Sequence, residues 1–512
     1  MVDGQTFMEK NDTPSDFSNL DVLFFIPPVF RIMGQKWDAY PLGLGYLVST
    51  LDKINVKSAI YYSNYLEVDE CPPNIYFLFY VSKQWEKFYS AVKDPEDDIW
   101  KEITLVLEKT NPKVVCLGSC IVDLPSLNMV INLIKAYNKE IIVVVGGPSA
   151  TTYSEKLIQN PLIDFLVIGE GERTVGELIP ILLNKPLNPE KIRAVKGIIY
   201  REGENVIRNE NRELIFNLDE IPFPNREKVF FVDKSKELKK LYLIRDILLS
   251  RGCPFNCKFC SAFTVWGTRK PRSRTKENII EEINLLKSRY NQTFFIFWDD
   301  LFTSNRKRVV DFCNALIQSN LNITWLALAR IDTIDEELLL LMKEAGCVQI
   351  QFGIESGSDR ILELVNKGIT VNQVIEKAKI IRKCKIPWST FWVIGFPTET
   401  EEEISETLKL IDIINPTIAE LSVFSPYPGT VFYSELSQSG HISEDTDRVD
   451  ASYFEKNYTL NIPADRFKDI AIHAFNYISR HNNKKSLLMN LRYAKWLLYK
   501  KFSELKKSIS KK

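Results

Sequence analysis

The feature that most constrains this chain is a twice-repeated alternation of short, mainly apolar strands with amphipathic helices. In the first series, strand patterns at Asp21–Ile26, Ser58–Tyr62, Lys113–Leu117, Ile141–Val145 and Phe165–Ile168 are separated by helical patterns such as Leu124–Tyr137 and Thr174–Leu183. Strands that are apolar throughout belong in a parallel sheet covered on both faces. A second series supplies six strands: Asp246–Ser250, Phe294–Trp298, Thr324–Leu328, Val348–Phe352, Ser389–Ile394 and Glu420–Phe424. Helical patterns at Lys276–Tyr290, Arg306–Ser319 and Glu402–Ile413 lie between them. Six strand–helix repeats suit a partial barrel, two short of a complete one.

The expected fold class is therefore α/β: an N-terminal Rossmann-like doubly wound parallel sheet, a partial (β/α)6 TIM-type barrel and a helical C-terminal tail. The expected boundaries are a disordered N-terminus over 1–19, the Rossmann-like domain over 20–185, a linker with a hairpin around Gly203 over 186–240, the barrel over 241–440 and a helical region over 441–512. At 512 residues two to three domains are expected.

Lys+Arg and Asp+Glu balance at 66 each, which argues against a nucleic-acid partner steered by a global field. The charge is nevertheless uneven. Residues 484–512 hold ten basic side chains against Glu504, interspersed with Leu487, Leu491, Trp496 and Phe502. That pattern fits a helix docked on its own protein, or one making peripheral contact with an anionic membrane. The N-terminus is polar and no 18-residue apolar run occurs, so a cytoplasmic protein is expected, with membrane association possible through the tail.

Of nine cysteines, three cluster: Cys253, Cys257 and Cys260, directly after the first strand of the second series. All three histidines (His441, His473, His481) lie near the C-terminus, so no imidazole stands near this loop in sequence. A structural zinc site needs four protein ligands. Three thiolates at this spacing instead suit a [4Fe–4S] cubane with one iron left open. Barrel enzymes place their active sites at the strand ends where this loop falls.

With Phe259 before the last cysteine, Cys-x-x-x-Cys-x-x-Cys resembles the hallmark of the radical S-adenosylmethionine (SAM) superfamily. Pro41-Leu42-Gly43-Leu44, the strand end Gly118-Ser119-Cys120, Gly146-Gly147-Pro148 and Gly169-Glu170-Gly171-Glu172 are similar to, or lie at the ligand-facing strand ends of, the cobalamin-binding region of cobalamin-dependent radical SAM enzymes. Gly197–Arg201 and Pro222–Pro224 resemble segments carried between that family's two domains. The resemblance covers about residues 20–435 and implies three cofactors: a [4Fe–4S] cluster on the three cysteines, SAM and cobalamin. It departs from many cobalamin proteins in having no histidine to serve as lower cobalt ligand.

For SAM, the resemblance and the strand ends together point to Phe259, Asp299, Asp300, Arg330, Glu355 and Gly395. For cobalamin they point to Leu42, Gly43, Gly118, Ser119, Gly146, Gly147, Pro148, Gly169, Glu170, Gly171 and Glu172. No catalytic side chain beyond these is assigned. The basic run Arg269, Lys270, Arg272 and Arg274 reads as a solvated loop or an anion contact. Phe263, Trp266, Trp298 and Trp392 hint at an apolar or ring-bearing substrate.

The implied activity is methyl transfer to an unreactive carbon of a small molecule, with electrons from an external flavodoxin- or ferredoxin-type donor. A cobalamin-dependent radical cyclase or rearrangement enzyme, and a non-enzymatic iron–sulfur or cobalamin-binding protein, are the alternatives. A methylthiotransferase fits less well, because Cys71, Cys116 and Cys120 form no clear second cluster motif.

Overall fold

The computed structural model describes residues 17–34, 39–64, 82–232, 244–442 and 457–485. Expectations for residues 1–16 and for most of the basic tail (486–512) lie outside the described residues. The chain divides into two compact units.

The N-terminal unit is built on an eight-stranded sheet ordered β7-β6-β5-β4-β3-β1-β2-β8. Its strands are β1 (Val22–Phe25), β2 (Ser58–Tyr61), β3 (Val114–Gly118), β4 (Ile142–Gly146), β5 (Phe165–Val167), β6 (Ile198–Glu202), β7 (Asn205–Arg208) and β8 (Val229–Phe230). The pairings among β1–β5 and with β8 are parallel. β1, β2 and β5 are buried throughout, and so are β3 and β4 up to their terminal glycines, as expected of strands covered on both faces.

Two features depart from the expectation. The hairpin around Gly203 is not part of a separate linker: β6 pairs antiparallel with β5, extending the sheet, and β8 extends the opposite edge. The sheet is therefore mixed at one edge. Tyr200 on β6 stacks on Phe165 of β5 with ring centroids 5.7 Å apart, burying the joint.

The C-terminal unit carries a six-stranded parallel sheet ordered β16-β15-β14-β13-β12-β9. These are β9 (Asp246–Ile247), β12 (Phe294–Phe297), β13 (Thr324–Ala329), β14 (Cys347–Glu355), β15 (Trp388–Ile394) and β16 (Ile418–Val423). The first strand is only two residues long. Ser250, expected to end it, instead forms β10 with Arg251 and pairs antiparallel with β11 (Arg272–Ser273).

Intervening helices begin on side-chain caps. Thr275 accepts from the Asn278 N–H, and Thr370 with Gln373 and Thr400 with Glu403 form capping boxes. Several end on asparagine in the left-handed conformation: Asn291, Asn320 and Asn415.

Strand alternation separates two faces. Phe297 and Trp325 pack against Phe312 of helix Arg306–Ser319, so their side of the sheet is the helix-covered one. The alternate positions, among them Leu328, Gln351, Phe391 and Glu420, are only partly buried and face the concave side.

A helix over residues 464–485 packs against the last strand. The Asn482 carboxamide accepts from the Ala419 N–H (3.0 Å) and donates to the Ala419 carbonyl (2.8 Å), occupying the outer edge of β16.

Candidate functional site: a thiol-bearing loop at the strand ends

The cysteine loop leaves β10 at Gly252, whose N–H donates to Asp300 Oδ2 (2.9 Å). Its far side is tied down by backbone bonds from Lys258 N–H to the Val365 carbonyl and from Phe432 N–H to the Lys258 carbonyl. Phe259 is half-buried. Its ring lies 5.6 Å from that of Phe396, at the border of a core formed by Ile361, Val365, Phe424 and Phe432.

As residues, Cys253 and Cys257 are half-buried and Cys260 is exposed, but the Cys260 sulfur itself is turned inward. Burial pushes all three above the ordinary thiol range, Cys260 to about 11. Mutual repulsion adds to this: Cys257 raises Cys253, and both raise Cys260, so the three groups lie close together. Lys367 and Arg330 act in the opposite sense on Cys257.

No set of three His, Cys, Asp or Glu side chains among the described residues is close enough to hold a single metal ion. Three thiols on one loop suit a cubane, in which each thiolate binds a different iron and the fourth iron needs no protein ligand. The donor set therefore fits a [4Fe–4S] cluster better than zinc.

Among the residues expected to contact SAM, the structure separates bracing groups from available ones. Asp299 is buried, and its oxygens accept from Leu249 N–H (2.7 Å), Ser250 N–H (3.1 Å) and Ser250 Oγ (2.5 Å). Arg308 adds an ion pair at 3.1 Å. Asp299 thus ties the approach to the cysteine loop to the end of β12 and has little capacity left for a ligand. Asp300 is exposed and close enough to Cys253 and Cys260 to raise both.

Arg330 is likewise committed. It chelates Asp332 (3.0 and 2.9 Å), donates to the Lys367 carbonyl (2.5 Å) and stands over the Phe255 ring at 3.7 Å. Its remaining nitrogen lies 3.9 Å from Cys257 Sγ. Its observed part is to clamp the loop, rather than to hold a free carboxylate.

Glu355 is buried and paired with Lys367 Nζ at 2.7 Å. At Gly395 (φ +88°), a Cβ would stand 2.7 Å from the Phe467 ring, so the missing side chain makes room for residue 467. Glu399 accepts from the N–H groups of Gly395 and Phe396 (2.5 and 3.1 Å), and its other oxygen is buried without a partner among the described residues. Burial pushes this carboxyl to about 8.

The basic run is not a solvated loop. Arg272 and Arg274 are buried, and Arg274 pairs with Glu282 at 2.5 Å inside the unit. Arg269 stacks on Phe263 at 4.4 Å. Trp392 is wholly buried on the helix-covered face and cannot line the concave side, whereas Trp298 is 41% exposed. A cavity of about 350 Å³ takes its walls from Leu249, Arg274, Phe302 and Arg308, and none of the three cysteines borders it.

In the N-terminal unit the expected cobalamin residues, apart from Leu42 and Gly43, gather at the carboxyl ends of β3, β4 and β5. Ser119 N–H donates to the Gly146 carbonyl (2.9 Å) and Ser149 N–H to the Ser119 carbonyl (3.1 Å), welding two loops together. Gly147 (φ +94°) permits this, because a Cβ there would stand 2.8 Å from the Ser119 oxygen. Pro148 opens the short helix that follows.

Gly118 backs onto Ile26 and Leu44, and Gly171 onto Leu47. Glu170 accepts from the Ile215 N–H (2.8 Å), and Glu172 is buried in helix Gly171–Leu183, so these carboxylates belong to the framework. Leu42 begins helix Leu42–Asp52. A Cβ at Gly43 or Gly169 would meet nothing within 4 Å, which leaves backbone open to a large flat ligand at those two points. Asp123, buried beneath the Ser119 loop, accepts from Ser119 Oγ (2.6 Å), and burial pushes it to about 7.

Sequence reasoning missed Lys367, Asp332 and Phe467. Each completes a partner that was singled out, yet no local pattern announces the pairing.

Comparison with known proteins agrees with this geometry. The Radical SAM superfamily profile matches residues 247–411, and the B12 binding domain profile matches residues 88–179. An uncharacterized methyltransferase of Pyrococcus horikoshii is 36% identical over 336 residues, spanning 65% of this chain and 72% of that protein. An anaerobic magnesium-protoporphyrin IX monomethyl ester cyclase of Rubrivivax gelatinosus is 28% identical over 369 residues, spanning 70% of this chain and 62% of that protein.

Among solved structures, the cobalamin-dependent SAM radical enzyme OxsB with aqua-cobalamin bound superposes with a TM-score of 0.62 at 17% identity, covering 85% of this chain and 64% of that one. The radical SAM methyltransferase TsrM of Kitasatospora setae, with cobalamin and a [4Fe–4S] cluster, gives 0.61 at 16% identity, covering 82% and 78%. At these identities the likeness is one of fold.

Proposed function

The chain belongs to the radical SAM enzymes that carry a B12-binding domain, and from that membership we propose that it transfers a methyl group from SAM to an unreactive carbon of a small-molecule substrate. The observation that carries the reading is the coupled thiol triad at the barrel's strand ends, in a chain that also holds a B12-binding domain. When bound, the cluster and the corrinoid supply one-electron reduction of SAM and a carrier for the methyl group.

The protein's part is to hold and orient. Cys253, Cys257 and Cys260 would bind three irons of a [4Fe–4S] cluster, leaving the fourth for SAM. Arg330 and Lys367 place positive charge beside Cys257, which favours its thiolate. Asp300, close to the thiols and exposed, is the carboxylate best placed to receive the ammonium of SAM. The open backbone at Gly43 and Gly169, with the welded loops at Ser119 and Gly147, would cradle the corrin.

The test is anaerobic incubation of the reconstituted, cobalamin-loaded protein with SAM and dithionite. Methyl transfer requires both 5′-deoxyadenosine and S-adenosylhomocysteine. 5′-Deoxyadenosine alone would favour a radical cyclase or rearrangement, the second reading that the cyclase relative supports. Neither product would remove the enzymatic reading.

Two further parts belong to this proposal. The electrons come from a flavodoxin- or ferredoxin-type protein, which should replace dithionite in the assay. The basic tail 484–512 rests on anionic membrane surface, so phosphatidylserine vesicles should sediment the full chain and not one ending at residue 485. Among the described residues no helix is long and apolar enough to cross a membrane.

A further inference from the structure

The concave face of the barrel carries few charges, and with one exception each has a partner. Asp246 accepts from Trp298 Nε1 at 2.8 Å. Glu355 pairs with Lys367, and Arg330 with Asp332. The exception is Glu420, on the edge strand β16. Its carboxyl makes no hydrogen bond or ion pair with any described residue.

Register fixes where Glu420 stands. Gly353 of β14 pairs with Phe391 of β15, and Phe391 pairs with Glu420, so the three share one row. Glu420 lies three residues short of the end of β16, about 10 Å inside the mouth by strand rise. Ser389 and Gln351 occupy the row below, and Gln349 Nε2 donates to Ser389 Oγ at 2.6 Å. Leu328, Phe391 and Val393 supply partly exposed apolar surface on the same face.

A carboxylate drawn away from water needs a counter-charge or several donors. The described residues offer Glu420 neither. Burial alone pushes it up to about 7, and no charged side chain contributes. Left alone the carboxyl holds its proton, and a cationic ligand would supply the charge that keeps it ionised. An incoming cation would gain a charge-assisted hydrogen bond and would also be attracted by the aromatic ring of Phe391 in the same row.

We propose that Glu420 is the group in the barrel that recognises the substrate, and that the substrate carries a protonated nitrogen on an apolar, ring-sized body. This rests on the reading of the barrel as the radical site and adds the charge class of what enters it.

The test uses a matched pair of probes, 2-phenylethylamine and 2-phenylethanol, titrated calorimetrically into the anaerobically reconstituted holoenzyme. Wild type should bind the amine about tenfold or more tightly than the alcohol, a preference worth about 1.4 kcal/mol. Glu420→Gln should abolish that preference without weakening the alcohol, and Glu420→Asp should keep part of it. Raising the pH from about 6 to about 8 should strengthen amine binding to wild type, as the carboxyl ionises, and leave Glu420→Gln unchanged.

No preference in wild type, including no measurable binding of the amine, overturns the proposal. So does a preference that survives Glu420→Gln. Should Glu420→Gln fail to fold, Glu420→Asp together with the wild-type pH series decides: an unchanged preference in both overturns the proposal. Formation of 5′-deoxyadenosine and S-adenosylhomocysteine by wild type tests the reaction separately. A missing amine preference beside intact SAM turnover therefore refutes only the assignment to Glu420.

Discussion

Lys367 Nζ lies 2.7 Å from Glu355 Oε1, and both side chains are withdrawn from water at the end of β14. Glu355 has a positive φ of 77°, and its carboxylate folds back over Gly353, where a Cβ would approach it to 2.4 Å. The glycine, the left-handed glutamate and the buried lysine thus form one unit beside Cys257. Removing one partner of a buried ion pair leaves the other charged and alone, at a cost of about 3–5 kcal/mol. Lys367→Met should lower stability by that order in denaturant titration, and adding Glu355→Gln should recover part of the loss.

The visible absorbance of the reconstituted protein should depend on three cysteines and no others among those described. Cys253→Ala, Cys257→Ala and Cys260→Ala are each expected to abolish it. Cys313→Ala and Cys384→Ala should leave it intact, because these thiols are buried on helices Arg306–Ser319 and Val371–Cys384. Iron analysis gives the same contrast.

The neighbouring aspartates should separate in a thermal melt. Asp299→Ala removes the acceptor of three hydrogen bonds and the partner of Arg308, so a loss of about 3 kcal/mol is expected. Asp300→Asn should change the melt by less than about 1 kcal/mol, as exposed substitutions do, while weakening SAM binding.

Glu399 should make the barrel less stable as the solution becomes more alkaline. Its folded-state pKa is raised to about 8 by burial, against 4.5 unfolded, so the folded protein holds the proton more tightly. Stability from this group is complete below the unfolded value, declines between about pH 4.5 and 8, and is level above that. Glu399→Gln should flatten the pH dependence of the melting temperature across that window.

Periodicity made much of the fold legible. Helices Leu124–Tyr137, Lys276–Tyr290 and Arg306–Ser319 run between the very residues that the apolar pattern marks, because caps and stripes are local signals. Which charged groups remain available was not legible. Asp299 and Asp300 are adjacent and chemically alike, yet one is buried against Ser250 and Arg308 while the other is exposed and holds the Gly252 N–H at the start of the cysteine loop. Only the tertiary course of residues 249–252 decides between them. Arg272 and Arg274 looked solvated for the same reason: the Glu282 that claims Arg274 is nearly two helical turns into the next element. The region after residue 441 carried no motif, since a single carboxamide against a strand edge leaves no periodic trace.

That carboxamide has a practical consequence. A barrel that stops at six strands exposes a row of unpaired peptide groups along its last one, inviting another chain to add itself there. With Asn482 standing in for a seventh strand at Ala419, a version trimmed to the matched segment 247–411 would lose β16 and the shield together. One trimmed just after β16 would present a raw β-edge and self-associate. A working fragment of this half must reach at least residue 485.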